Sequence, residues 1–230
     1  MPNLIPAVFS WSGGKDSMLA LHYILQEQKY EVRYLMTTVN QEFGRVAMHG
    51  VREELLIKQA ESLNIPLVKL AMPEMPTMEA YEVMMDEALL RFKNEGIDHI
   101  IFGDIFLEDL KRFRELQVQR AGMLAVFPLW AKQSDALIAE FVNKGYRTMV
   151  VCAQNGLQDF CGRVIDDNFI SDLPEGIDPC GENGEFHTFV FDGPKFERPI
   201  AFEIGDLVYK SFPKPNKSDE ETGYWYIDLL

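Results

Sequence analysis

The stretch Ser10-Trp11-Ser12-Gly13-Gly14-Lys15-Asp16-Ser17 constrains this chain more than any other. An apolar run from Ile5 to Phe9 precedes it and reads as a buried parallel strand. Met18, Leu19, Leu21, Ile24 and Leu25 follow at the spacing of a helix's inner face. Strand, glycine-rich turn and helix together build an anion site. Two glycines let the backbone turn tightly and come close to a ligand. The first N–H groups of the helix have no partner of their own and lie at the positive end of its dipole. Lys15 adds a full charge, and Ser10, Ser12 and Ser17 add hydroxyls. The expected ligand is phosphate. Neither G-x-x-x-x-G-K-S/T nor G-x-G-x-x-G is present here, so this is neither a Walker loop nor a dinucleotide fingerprint.

Beyond the turn, residues 1 to about 127 alternate strand and helix. Strands are expected over Glu31–Val39, Ile65–Leu70, His99–Asp104 and Met123–Phe127, with helices between them and Thr77 as an N-cap. That alternation predicts an α/β fold with a doubly wound parallel sheet. In a 3-2-1-4-5 strand order, the Ser12–Ser17 turn and the Gly103-Asp104 turn face one crevice at the carboxyl ends of the strands. Met36 and Thr37, late in the second strand, join the expected nucleotide contacts. Asn40–Met48 reads as loop. Pro128-Leu129-Trp130 breaks the alternation. The remainder is richer in strand patterns, at Tyr146–Ala153, Phe186–Phe191, Ile200–Ile204 and Tyr224–Leu229. A second, smaller α+β domain over 128–230 is therefore expected, with a mobile polar loop at 214–221.

Composition narrows the class. The chain has 230 residues, 47% of them hydrophobic, and no apolar run near the roughly 20 residues of a membrane span. No basic export region precedes the first strand. Three cysteines, Cys152, Cys161 and Cys180, lack C-x-x-C spacing, which argues against a zinc site and fits a reducing cytoplasm. A net charge of −14 works against nucleic acid as a partner. Lys111, Arg112, Arg114 and Arg120 read as a solvated helix face. A homo-oligomer is left open.

Three further places carry chemistry. In His49-Gly50-Val51-Arg52, His49 can serve as a donor at a helix start, and Arg52 can reach phosphate through two N–H groups or pair with a nearby acid. Asp104, after Gly103 at the end of an apolar strand, is placed to share Mg²⁺ with Asp16 over a triphosphate. The run from Asp178 to Thr188 crowds Glu182, Glu185 and His187 into a turn. Its carboxylates suit an amine or cation, and His187 suits proton transfer. Cys180 shows no local sign of activation and reads as structural.

Ser12–Ser17 resembles the PP-loop, S-G-G-x-D-S, of the ATP pyrophosphatases, a HUP-like fold. With His49–Arg52, Gly103–Ile105, Pro128–Trp130, Gly156-Leu157, Cys161–Arg163 and Gly181–Thr188, the chain resembles the diphthine–ammonia ligase family over nearly its whole length. The resemblance implies ATP with Mg²⁺, adenylation of a carboxylate and release of AMP and pyrophosphate on attack by ammonia or ammonium. The acceptor it implies is diphthine on elongation factor 2. Lys15, Asp16, Asp104, Glu182, Glu185 and His187 become the expected catalytic set. Departures fall at Asn183, Phe186 and His187, where the family loop reads G-E-G-G-E-Y-E-T, so another carboxylate remains open as acceptor. The competing readings are a PP-loop RNA-modifying enzyme of the thiolation or lysidine type, and a non-catalytic nucleotide-binding module.

Overall fold

A computed structural model describes residues 4–46, 49–73, 77–214 and 217–230. The chain runs β1 (Ile5–Ser10), α1 (Lys15–Glu27), β2 (Tyr30–Asn40), β3 (Arg45–Val46), α2 (Glu53–Leu63), β4 (Leu67–Met72), α3 (Met78–Asn94), β5 (His99–Ile101), α4 (Glu108–Arg120) and β6 (Leu124–Val126). It continues through α5 (Ser134–Asn143), β7 (Arg147–Gln154), α6 (Asp167–Asp172), β8 (Phe186–Asp192), β9 (Ile204–Lys214) and β10 (Lys217–Leu229).

The five parallel strands lie in the order β4-β2-β1-β5-β6, the 3-2-1-4-5 arrangement under which the two turns face one crevice. Successive residues of a strand point to opposite faces, and here the two faces feed two cores. Ala7 and Phe9 of β1, Leu35 of β2 and Ile101 of β5 enter one core with residues of α1 and α2. Val8, Met36, Ile100 and Phe102 enter the other with Met85, Leu89 and Phe92 of α3 and Val118 of α4. A continuous apolar run such as Ala7-Val8-Phe9 is what a strand buried on both faces requires.

The second sheet is antiparallel, in the order β8-β7-β10-β9. It packs onto the α1 and α2 side of the first, since Val150, Val151, Phe186, Phe189 and Val190 belong to the same core as Phe9 and Leu21. The two sheets thus share a core, and β8 is brought against the start of α1.

Three local expectations are corrected. Within Asn40–Met48, Arg45 and Val46 pair back antiparallel onto Asn40 and Val39, because the Asn40 Oδ1 accepts from the N–H groups of Glu42 and Phe43 and folds a tight turn; residues 47–48 lie outside the described residues. Ile200 is buried outside any strand, and the strand begins instead at Ile204. Leu207, Val208 and Tyr209 are exposed, but they pair with Ile227, Tyr226 and Trp225 of β10, and the Tyr209 and Trp225 rings sit 5.1 Å apart. Cross-strand pairing, rather than composition, sets that strand. It runs to Lys214 and the next begins at Lys217, so strand occupies most of the expected 214–221 loop; residues 215–216 lie outside the described residues.

Candidate active site

A cavity of about 510 Å³ opens at the carboxyl ends of the parallel strands, between the turn after β1 and the turn before β8. Twelve of the expected site residues line it: Ser10, Ser12, Lys15, Asp16, Ser17, Met36, Thr37, His49, Gly103, Asp104, Glu182 and His187. Gly13, Gly14, Arg52 and Glu185 do not.

The phosphate turn is held from three sides. Gly13 has φ +77°, and a Cβ there would lie 2.8 Å from the Gln59 Oε1, so only glycine fits. Gln59 of α2 has no exposed surface. It accepts from the Trp11 Nε1–H at 3.0 Å and donates from Nε2 to the carbonyls of Gly13 and Val190, at 3.0 and 2.6 Å. The Val190 N–H also donates to the Gly13 carbonyl. No side chain of its own caps α1; the Thr188 Oγ1 of β8 accepts from the Lys15 N–H at 3.0 Å and fills that role. Within the turn, the Gly14 N–H donates to the Ser12 Oγ, and the Ser17 hydroxyl donates to the Gly14 carbonyl. Gly103, two residues past β5, sits where a Cβ would lie 3.0 Å from the Ser17 nitrogen, which lets the Asp104 turn close against the start of α1.

Lys15 is 3% exposed. Its Nζ donates to the Asp16 Oδ2 at 2.9 Å and to the Cys180 carbonyl, and lies 5.3 Å above the Phe186 ring. Burial opposes its charge, but Asp16, with Cys180 and Glu182 behind it, outweighs burial and holds the ammonium pKa above the ordinary lysine value. Lys15 therefore joins the two sheets through one cation.

The second turn is organised by Asp178, whose Oδ1 accepts from the N–H groups of Cys180 and Glu182. Its three expected functional side chains separate. The Glu182 Oε1 accepts from the Ile105 N–H at 2.8 Å, which fixes the turn to the end of β5 and aims the carboxylate into the cavity. Burial, with Asp16 adding repulsion, pushes this carboxyl up to about 7. The His187 ring faces the cavity and lies 4.6 Å from the His49 ring. Glu185 instead turns inward, 6% exposed, and its Oε1 accepts from the Asp178 N–H and the Asn183 Nδ2. With both of those donors inside the turn, Glu185 braces the turn rather than the reacting groups.

Arg52 takes the second of its two readings, the pair with a nearby acid. It donates to Asp228 of β10 at 2.7 Å, and Arg45 joins the same carboxylate at 2.9 Å, so its guanidinium is committed away from the cavity. These two arginines hold the Asp228 carboxyl far below the usual carboxylate range.

Arg114, expected on a solvated face, turns into the site. Its Nε lies 3.1 Å from the Asp104 carboxylate, and its guanidinium stacks 4.6 Å over the Phe102 ring. Nothing in a ten-residue separation signals that pairing. Burial pushes the Asp104 carboxyl up, with Arg114 pulling against it; the buried Asp104 Oδ2 accepts no hydrogen bond, though the Arg114 Nε lies 3.1 Å from it. Among the described residues, no group of three or more His, Cys, Asp or Glu is placed to hold a metal ion. Mg²⁺ carried on a nucleotide needs only one or two carboxylates beside phosphates and water, and Asp104 and Asp16, on one cavity, could supply them.

The far end of the cavity is apolar, lined by Met36, Met72, Tyr81, Met85, Phe102, Leu107 and Leu110. Met85 is thus both core filler and cavity wall. A cavity with a cationic, hydrogen-bonding end and a flat apolar end suits a nucleotide.

The family model for the diphthamide synthase N-terminal domain matches residues 6–125, and that for the C-terminal domain matches residues 133–225. The chain belongs to the diphthamide synthase family. It is 25% identical over 224 residues to a diphthine–ammonia ligase of Homo sapiens, covering 87% of this chain and 84% of the relative, and equally to one of Bos taurus. Among solved structures it is similar to the U34-tRNA thiolase NcsA of Methanococcus maripaludis, with a TM-score of 0.39 and 19% identity over 61% of this chain and 58% of that one. Both cavity-forming turns fall within the family matches, one in each domain model. Among the described residues no helix is long and apolar enough to cross a membrane.

Proposed function

We propose that this protein is an ATP-dependent, AMP-forming carbon–nitrogen ligase that adenylates a carboxylate and amidates it with ammonia, and that the carboxylate is that of diphthine on elongation factor 2. One observation carries the reading: Lys15, from the phosphate turn, donates directly to the backbone of the 178–188 turn, so nucleotide and acceptor meet in a single cavity.

The roles follow from position. The base and ribose occupy the apolar end between Met36, Met85 and Phe102. The triphosphate lies against the start of α1, with Lys15 and the hydroxyls of Ser12 and Ser17 as donors. Asp16 and Asp104 would hold Mg²⁺, which neutralises phosphate charge when bound. The acceptor carboxylate approaches from the Glu182 and His187 side and attacks the α-phosphorus, and pyrophosphate leaves. Glu182, poised between charged and neutral forms near pH 7, is the counter-ion for ammonium. Family membership and the relatives' name as diphthine–ammonia ligases support the acceptor and the nitrogen source. Gly13 and Gly14 act only through backbone, while Arg52 and Glu185 take structural roles.

The test is incubation of the protein with ATP, Mg²⁺, isotopically labelled ammonium and diphthine-bearing elongation factor 2. Labelled amide on the factor together with AMP and pyrophosphate is expected. ADP and phosphate as the coupled products would refute the mechanism. AMP formation without a labelled amide would refute the acceptor.

A further inference from the structure

His49 and His187 come from opposite halves of the chain, yet their rings lie 4.6 Å apart at a 36° tilt on the wall of the cavity. The His49 Nδ1 is 3.2 Å from the Thr188 carbonyl. A carbonyl only accepts, so this Nδ1 carries the hydrogen, and in the neutral ring Nε2 is left with its lone pair. The His49 Cε1 packs where a Cβ on Gly14 would come within 3.2 Å, which seats the ring against the phosphate turn. The groups bearing on the pair are Lys15 from α1, the Thr188 carbonyl from β8 and each ring upon the other, while Asp16 and Glu182 line the same cavity.

We infer that the His49–His187 stack is the proton acceptor for the attacking nitrogen, with the His49 Nε2 as the accepting atom and His187 as its positioning partner. This rests on the acyl-adenylate reading above. Ammonium held at Glu182 gives one proton to the His49 Nε2. The freed lone pair forms the C–N bond at the acyl carbon, and the bond from that carbon to the AMP oxygen breaks with its electron pair on AMP. A second nitrogen proton leaves to the AMP phosphate or to water. Two rings this close hold at most one positive charge between them, so the stack acts as a unit.

The surroundings add a gate. Burial, against a weaker pull from the Thr188 carbonyl and with repulsion from Lys15, brings His49 down to about 4, and burial, His49 and Lys15 bring His187 well below its ordinary value. The stack is therefore neutral in the free protein. Phosphates that match the charge of Lys15 remove that cause of the depression while burial remains, so basicity rises when nucleotide is in place.

Two measurements test this. Hydroxylamine is uncharged at neutral pH and needs no base to become a nucleophile. With diphthine-bearing elongation factor 2 as acceptor, the ratio of ammonium-dependent to hydroxylamine-dependent turnover should fall by roughly 10²-fold in His49→Asn, whose amide N–H can still reach the Thr188 carbonyl. His187→Asn should lower the ratio too, and the double variant should fall no further than His49→Asn. An unchanged ratio overturns the inference. Absence of AMP from the wild type with either amine would refute the acyl-adenylate reading, and the second measurement then still decides on the stack. The chain has only four histidines, so nitrogen NMR of labelled imidazoles can read each ring. His49 should be protonated at Nδ1 alone, and both rings should titrate at higher pH when a non-hydrolysable ATP analogue with Mg²⁺ is bound. An Nε2-protonated His49, or titration indifferent to nucleotide, overturns the inference.

Discussion

The turns at Ser10–Ser17 and Asp178–Thr188 meet at one cavity, and both are short, polar and glycine-bearing. They do their work through different atoms. In the first, the backbone is the instrument: Gly13 takes a left-handed φ, the start of α1 presents its N–H groups, and Gln59 and Thr188 hold the shape from outside. In the second, side-chain direction decides everything. Glu182 faces the cavity and Glu185, three residues later, faces the interior. A turn whose function lies in its backbone has a fixed residue pattern, because few residues tolerate the required φ and spacing. A turn whose function lies in its side chains has no such pattern, because the same carboxylate serves either as site or as brace.

Lys15→Ala should break both turns at once and give the largest effect. It removes a charged donor to phosphate and leaves Asp16 and Glu182 without their cation. ATP affinity is expected to fall by roughly 10- to 150-fold, from about 1.5–3 kcal/mol for such a donor, with turnover falling further. Calorimetry with ATP and Mg²⁺ checks it, and equal affinity would remove Lys15 from the site.

Glu182→Gln should be next. The amide oxygen can still accept from the Ile105 N–H, so the turn stays in place while the charge is lost. The expected result is a loss of about 10- to 150-fold in kcat/KM for ammonium, with ATP affinity nearly unchanged. In the wild type, kcat/KM for ammonium should rise with pH through about 7, as Glu182 ionises, and that limb should be missing in Glu182→Gln. Stability carries the opposite sign. A carboxyl whose folded pKa is raised from 4.5 to about 7 favours the folded state at low pH, and the benefit is lost as pH rises between those values. Denaturant titrations across that window should show a shallower decline in Glu182→Gln.

Gln59→Ala should act on stability before chemistry. It leaves the Trp11 Nε1–H and the Val190 carbonyl without their buried partner, at about 1–3 kcal/mol for each. Denaturant midpoints check this, and a change below that range would mean that the phosphate turn holds itself. Glu185→Gln should have the smallest effect, with turnover within a few-fold of wild type, since an amide can still accept from the Asp178 N–H. A loss matching that of Glu182→Gln would erase the proposed difference between the two carboxylates.

The same distinction explains what was legible in the sequence. The Ala7-Val8-Phe9 run and the helical spacing after Lys15 report burial on fixed faces, so the alternating elements could be read in advance, and the crevice followed once a 3-2-1-4-5 order was assumed. Gly103-Asp104 was legible because strand ends in a parallel sheet point to one place, and His49 because it stands just before a helix start. Arg114 was not, because its pairing with Asp104 depends on where α4 settles against β5. The acid that Arg52 pairs with went unread for the same reason, since Asp228 reaches it only after β10 joins the second sheet. Gln59 left no signal: one glutamine on an amphipathic helix looks like any other until the turn it braces is folded beside it.

The central claim is that both turns serve one reaction, in which an acceptor carboxylate attacks the α-phosphorus of ATP. Following the carboxylate oxygen tests it most directly. The acceptor carboxylate on diphthine-bearing elongation factor 2 is enriched with heavy oxygen, and the products of one turnover with ATP and ammonium are weighed by mass spectrometry. The account predicts that AMP carries one heavy oxygen and the amide keeps the other. Heavy oxygen in inorganic phosphate, or AMP without label, would contradict it.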